Sequence, residues 1–174
     1  PITDLKGEAF YLRDEESGKF WSPAPLPCSS NSIYITRHGF GYSIFEHSED
    51  GIDSSMTVFT DIEAPVKFIV LKIHNKSHRP RRLTVTGYVE WILGDLKSKT
   101  QMYVVTELDV RSGAILARNA YNSEFDNRVA FFDADEPNKT ITADRSEFIG
   151  RNGTLNNPDG LSKARLSGRT GAAL

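Results

Sequence analysis

The sequence predicts an all-β protein, an antiparallel sandwich of many short strands, and three features lead to that class. Period-two alternation of apolar and polar residues dominates the middle of the chain, and Gly-, Asn- and Asp-rich turn signals recur between the alternating runs. No window of helical length carries an apolar i, i+3, i+4, i+7 stripe. With 174 residues and no repeat, low-complexity tract or Pro/Gly/Ser linker, the chain is expected to form one domain over residues 1–174.

The expected strands follow in chain order. Phe10 to Arg13, Ser32 to Thr36, Tyr42 to His47 and Met56 to Asp61 come first, separated by turn signals such as Glu16-Ser17-Gly18 and Glu49-Asp50-Gly51. Val66 to Ile73 is apolar apart from Lys67 and Lys72 and reads as a mostly buried strand. In Leu83 to Trp91, Leu83, Val85, Val89 and Trp91 share one face, leaving Thr84, Thr86, Tyr88 and Glu90 on a free one. The turn residues from Asn75 to Arg81 between these two runs predict an antiparallel hairpin. Met102 to Val110, Ile115 to Asn119, Arg128 to Ala134 and Thr140 to Ala143 complete the strands, and Asp159 to Leu166 reads as a short turn of helix.

Composition excludes several functions. Twenty-one Lys and Arg face 23 Asp and Glu, a net charge of -2, so there is no bulk positive field to hold a nucleic-acid backbone. Apolar residues at 39% and charged ones at 25% are enough for a packed core. The lone Cys28 makes neither an internal disulfide nor a multi-Cys metal site. The apolar run Phe68 to Leu71 is far shorter than a bilayer span. The chain starts without Met, and it ends on apolar residues without a helix stop signal, so it reads as a piece of a longer chain.

The local motifs are mostly bland. His38, His47, His74 and His78 fall in none of the spacings that put two imidazoles on one metal, and no metal site is expected. The acidic run Asp133 to Asn138 lacks the Gly and terminal acid of a calcium loop and reads as a solvated turn. Sequons at Asn75, Asn138 and Asn152 carry no weight, since nothing argues secretion. The basic cluster Arg79 to Arg82 reads as a solvated hairpin tip in preference to an anion site. Glu46, Glu90, Glu107 and Asp109 are the strand-borne acids available for glycoside chemistry, but acids on strands mostly face solvent. No nucleophile, base and orienter set emerges, so the chain alone is not expected to catalyse.

More informative is the mixture of aromatic rings with planar polar groups, including Phe10, Tyr11, Arg13, Trp21, Arg37, Tyr42, Asn119, Tyr121, Asn122, Arg145, Phe148, Arg151 and Asn152. Aromatic faces stack on sugar C–H surfaces, and Arg and Asn pair with hydroxyls at small entropic cost. The same residues also build the interior of a large sandwich, and composition leaves both readings open.

Four stretches go further: Tyr11-Leu-Arg-Asp-Glu-Glu-Ser-Gly-Lys-Phe-Trp-Ser-Pro-Ala-Pro-Leu-Pro27, Arg37-His-Gly-Phe-Gly-Tyr-Ser-Ile-Phe-Glu-His47, Asn75-Lys-Ser-His-Arg-Pro-Arg-Arg-Leu-Thr-Val-Thr-Gly-Tyr-Val-Glu-Trp91 and Asp144-Arg-Ser-Glu-Phe-Ile-Gly-Arg-Asn-Gly-Thr154. In order and spacing they resemble the N-terminal β-domain of glycoside hydrolase family 94, also classed as glycosyltransferase family 36. That family holds the cellobiose and chitobiose phosphorylases and the phosphorylase-like region of cyclic β-1,2-glucan synthases. The first and last stretches look most like the glucan synthase branch.

The resemblance implies an antiparallel β-super-sandwich related to the galactose mutarotase fold, present here as a partial domain. It implies a separate (α/α) barrel in the parent chain that carries the general-acid Asp and binds inorganic phosphate, so this β-domain is expected to be non-catalytic and to hold no cofactor. The implied partners are a glucan or oligosaccharide, that barrel, and a second copy in a homodimer. Neither nucleic acid nor direct membrane insertion is implied. The implied location is cytoplasmic, with a glucan synthase parent anchored in a bacterial inner membrane. The implied sugar-binding residues are Arg145, Phe148, Arg151 and Asn152, with Gly150 allowing close approach, and Asn119 and Asn122 from Ala117-Arg-Asn-Ala-Tyr-Asn122. The alternative for the same loop is structural, with Arg145 paired to Asp144 or Glu147 at a corner of the sandwich. Arg13, Asp14 and Trp21 read as architectural.

Overall fold

A computed structural model describes residues 7–122 and 126–172. They fall into two compact units, one of Glu8–Tyr88 and one of Gly7 with residues 89–172.

The first unit is made of long strands: β1 (Glu8–Asp14), β2 (Phe20–Trp21), β3 (Tyr34–Gly39), β4 (Tyr42–Glu49), β5 (Ile52–Thr60), β6 (Lys67–Asn75) and β7 (Leu83–Val89), whose last residue belongs to the second unit. Strands β3 to β6 form an antiparallel meander in chain order, and β2-β1-β7 form a separate three-stranded sheet. The turns explain the meander. Asp50 and Gly51 both take positive φ (52° and 77°) between the paired Glu49 and Ile52, the two-residue geometry that matches strand twist. The β5–β6 loop is held by Asp61, whose carboxylate accepts the backbone N–H of Glu63 (2.9 Å) and Ala64 (2.8 Å). Alternation along β5 turns Ile52, Ser54 and Met56 inward. Leu12, Trp21 and Ile52 then form a core joined by Leu71 and Leu83, so side chains of both sheets meet in one layer.

Three expectations fail here. Leu83 to Trp91 is not the hairpin partner of Val66 to Ile73: β6 is the edge of the meander, and β7 pairs with β1. The connection is a structured crossing, with the Asn75 side chain accepting from Ser77 N–H (2.9 Å) and donating to Arg79 C=O (2.9 Å). Strand β6 is mostly exposed, because an edge strand has a neighbour on one side only, and Phe68, Val70 and Ile73 remain accessible. In β7, Val85 is 51% exposed while Thr86 and Tyr88 are half-buried, so the simple two-faced alternation is not realised.

Arg81 corrects the reading of the basic cluster as a solvated tip. Its side chain is 3% exposed and pairs with Asp14 (2.6 Å) and Asp50 (3.0 Å). Arg79 pairs with Glu16. The backbone N–H of Glu16 and the Arg81 guanidinium hold the Asp14 carboxyl down to about 2. Asp14 and Trp21 are architectural, as expected, both being fully enclosed.

The second unit has short elements: α1 (Lys97–Thr100), a 3-10 turn at Gln101–Tyr103, β8 (Val105–Leu108), β9 (Ile115–Arg118), β10 (Ala130–Phe132), α2 (Arg145–Ile149), a 3-10 turn at Asp159–Ser162 and β11 (Gly171–Ala172). The strands form one antiparallel sheet in the order β10-β9-β8-β11. The Asp109 carboxylate accepts from the backbone N–H (3.1 Å) and hydroxyl (2.6 Å) of Ser112, making the β8–β9 turn. The strand expected from Met102 is shortened by the helical turn before it. Thr140 to Ala143 forms no strand, because the Thr142 hydroxyl accepts from Asp144 N–H (3.1 Å) and leads the chain into α2. The 3-10 turn at Asp159 is the short helical turn that the sequence predicts. Among the described residues no helix is long and apolar enough to cross a membrane.

Candidate functional site

Helix α2 and the loop after it place the residues of the last motif. Asp144 is the N-cap, its carboxylate accepting the backbone N–H of Glu147 at 3.0 Å. Arg169 adds an ion pair to Asp144 at 3.1 Å. Glu147 is a second anchor, receiving the Thr142 hydroxyl (2.7 Å), the Ser167 backbone N–H (2.9 Å) and the Ser167 hydroxyl. That hydroxyl, with the other donors, holds the Glu147 carboxyl down to about 2. Phe148 (5% exposed), Ile149 and Leu161 pack between α2 and the 3-10 turn at Asp159.

Gly150 ends the helix with φ 89°, and a Cβ there would sit 2.0 Å from an Asp159 carboxylate oxygen. At Gly153 a Cβ would lie 1.7 Å from the carbonyl oxygen of Ile149, so the chain doubles back tightly onto the helix end. Between these glycines, Arg151 and Asn152 project into solvent, and neither side chain makes a hydrogen bond or ion pair among the described residues. The loop is fixed at both ends and its two polar side chains are left unspent.

The other predicted residues are committed to the protein. Phe148 is inside and offers no platform. Asn119 is 4% exposed; it donates to Leu93 C=O (2.9 Å) and accepts Tyr121 N–H (3.0 Å). Asn122 donates to the same carbonyl at 3.2 Å. Leu93 has φ 43°, and two amides converging on its carbonyl hold that unfavourable backbone. Arg145 pairs through Nε with Glu90 at 3.4 Å, not with Asp144 or Glu147, and Lys97 shares Glu90 at 2.6 Å.

The remaining polar constellations are structural. Among the described residues no three His, Cys, Asp or Glu side chains converge as a metal site. His47 is buried, stacked on Tyr34 with ring centroids 3.8 Å apart. Its Nδ1 lies 3.2 Å from the Ile33 carbonyl, which only accepts, so Nδ1 carries the proton and Nε2, when neutral, accepts from the Ser30 hydroxyl at 3.1 Å. Glu49 beside it accepts from Lys19 (2.5 Å) and from the Ser32 hydroxyl (2.8 Å), and the Lys19 ammonium brings its carboxyl down to about 2. Glu46 pairs with Arg37, and Glu107 pairs with Arg118.

The sequence reading did not single out the contact between Tyr103 and Tyr121, whose rings lie 4.7 Å apart and tilted by 38°. They come from a helical turn and a loop, and periodicity does not register such a pair.

Antiparallel sheets with short helical insertions define the class, a β-sandwich domain. The whole chain, residues 1–174, matches the family model for the supersandwich domain of glycosyl hydrolase 94, and it belongs to that family. Over 171 residues it is 36% identical to the cyclic beta-(1,2)-glucan synthase NdvB of Rhizobium meliloti (strain 1021), covering 97% of this chain and 6% of that one. It is 29% identical over 175 residues to the N,N'-diacetylchitobiose phosphorylase of Vibrio furnissii, covering 94% of this chain and 21% of the relative. It is 33% identical over 113 residues to the solabiose phosphorylase of Paenibacillus borealis, covering 63% and 15% respectively. The chain thus spans 21% or less of the length of these relatives.

Proposed function

We propose that this chain is the non-catalytic β-domain of a carbohydrate-active transferase or phosphorylase, that of a cyclic β-1,2-glucan synthase, and that it lends sugar contacts to an active site whose acid lies elsewhere in the parent. The observation that carries this is the loop after α2, where Arg151 and Asn152 stand exposed and unpaired among the described residues on a backbone pinned by Gly150 and Gly153. Arg151 offers a forked pair of N–H donors to adjacent hydroxyls, and Asn152 offers both a donor and an acceptor. A held backbone reduces the ordering cost of binding.

In this reading the partners are a glucan or oligosaccharide, the (α/α) barrel of the parent chain and a second copy. Inorganic phosphate, as a co-substrate of the parent, is bound outside this domain, and the domain works in the cytoplasm. The similarity to the glucan synthase supports the β-1,2 linkage over the β-1,4 linkage. A second reading, a scaffold that never touches sugar, draws on Asn119, Asn122 and Phe148, all of which serve the interior.

Calorimetric titration with sophorose-type β-1,2-gluco-oligosaccharides separates the two readings. Sugar contact predicts saturable binding that Arg151→Ala weakens about tenfold, the loss of a good hydrogen-bonded contact. Binding unaffected by Arg151→Ala and by Asn152→Ala, or no binding by the folded chain, favours the scaffold.

A further inference from the structure

Tyr103 and Tyr121 share the unit that carries the Arg151 loop and are 40% and 79% exposed. Their rings lie against each other at 4.7 Å and 38°, and neither phenol has a hydrogen-bond partner among the described residues. The ring of Tyr121 is not on a loose loop. Its own N–H is bound by Asn119 Oδ1 at 3.0 Å, Asn119 is tied to Leu93 C=O, and Asn122 N–H returns to Asn119 C=O at 3.3 Å. Two buried or half-buried amides are therefore spent on fixing the turn that presents one exposed aromatic face, with Tyr103 behind it.

We propose that Tyr121, backed by Tyr103, is a stacking platform for a β-glucopyranosyl unit. The inference rests on the carbohydrate reading of this domain and adds a second contact to it. A β-glucopyranose carries its hydroxyls equatorially, so its axial C–H bonds make both ring faces apolar and suited to a flat electron-rich surface. Tyrosine meets that need, because it supplies a rigid face and a phenol able to pair with a peripheral hydroxyl. This assigns Asn119 and Asn122 a positioning role: they act on sugar through Tyr121, which explains why a buried and a half-buried asparagine sit beside an exposed ring.

The test is affinity for β-1,2-gluco-oligosaccharides, measured by calorimetry on the full chain and on Tyr121→Ala, Tyr121→Phe, Tyr103→Ala and Arg151→Ala, with proton–nitrogen spectra to show that each variant is folded. The platform predicts about tenfold weaker binding for Tyr121→Ala, a smaller loss for Tyr103→Ala, and near-native binding for Tyr121→Phe, which keeps the stacking face. Wild-type affinity in Tyr121→Ala overturns it. If the native chain binds and Arg151→Ala weakens binding while Tyr121→Ala does not, the platform is wrong and the sugar-contact reading stands. If the folded native chain binds no sugar at millimolar concentration, both fall.

Discussion

The two units spend their polar groups differently. In residues 8–88, buried polar groups are consumed inside the fold: Arg81 on Asp14 and Asp50, Glu49 by Lys19 and Ser32, His47 on Ser30 and Ile33. In the second unit, Glu147, Asp144 and Asn119 are equally committed, yet their commitments fix two loops that display exposed side chains, Arg151 with Asn152 and Tyr121. Internal polar networks of the first kind set geometry; those of the second kind also present chemistry. The contrast teaches that the exposed groups matter here in proportion to how firmly the residues beneath them are held.

The sharpest way to strain the first half of the comparison is Trp21→Ala, which removes the largest fully buried side chain of the core that also includes Leu12 and Ile52. A loss of about 3–5 kcal/mol is expected by urea denaturation. A value below about 1 kcal/mol would mean that this sandwich layer is not what stabilises the unit.

Next in size is Gly153→Ala. The added Cβ meets the Ile149 carbonyl at 1.7 Å, so the loop must move, at a cost of about 2 kcal/mol. Faster amide exchange confined to α2 and the loop after it is the expected signature, and unchanged exchange would show that the loop is not pinned.

Smaller again is Asn119→Ala, which strips one donor from Leu93 C=O and the acceptor of Tyr121 N–H, for about 1–2 kcal/mol. Thermal melting reads the stability, and the Tyr121 line shape in NMR reads the loosened turn.

Acid sharpens the comparison by pH. The folded-state pKa values of Asp14, Glu49 and Glu147 are all depressed to about 2, so their stabilisation is present above the ordinary carboxylate range and is lost as pH falls from about 4.5 towards 2. Glu147→Gln should flatten the part of that loss seen at α2 amides and leave the acid response of β4 unchanged.

Much of the first unit could be read from alternation and turn chemistry. The Asp50-Gly51 turn and the strands on either side of it stand out because a two-residue loop and a period of two are local signals. What escaped is non-local. Nothing in Val66 to Trp91 says that β7 joins β1 in place of β6, or that β6 will be an exposed edge. Arg81 looks like surface because its two carboxylate partners are 67 and 31 positions away. Helix α2 is five residues long, too short to show a stripe, although Asp144 with Glu147 three positions on is a readable cap signal. At the candidate site, residue type was legible and side was not. Phe148 and Asn119 have the chemistry of sugar contacts but face inward, whereas Arg151 and Asn152 face out.

The most direct test of the central claim is a proton–nitrogen titration of the chain with β-1,2-gluco-oligosaccharides, using cello-oligosaccharides for comparison and following amides in both units. The account predicts saturable shifts at Gly150 to Thr154 and around Tyr121, larger for the β-1,2 series, with residues 8–88 unmoved. Shifts centred in residues 8–88, or none anywhere in the folded chain at millimolar sugar, would contradict it.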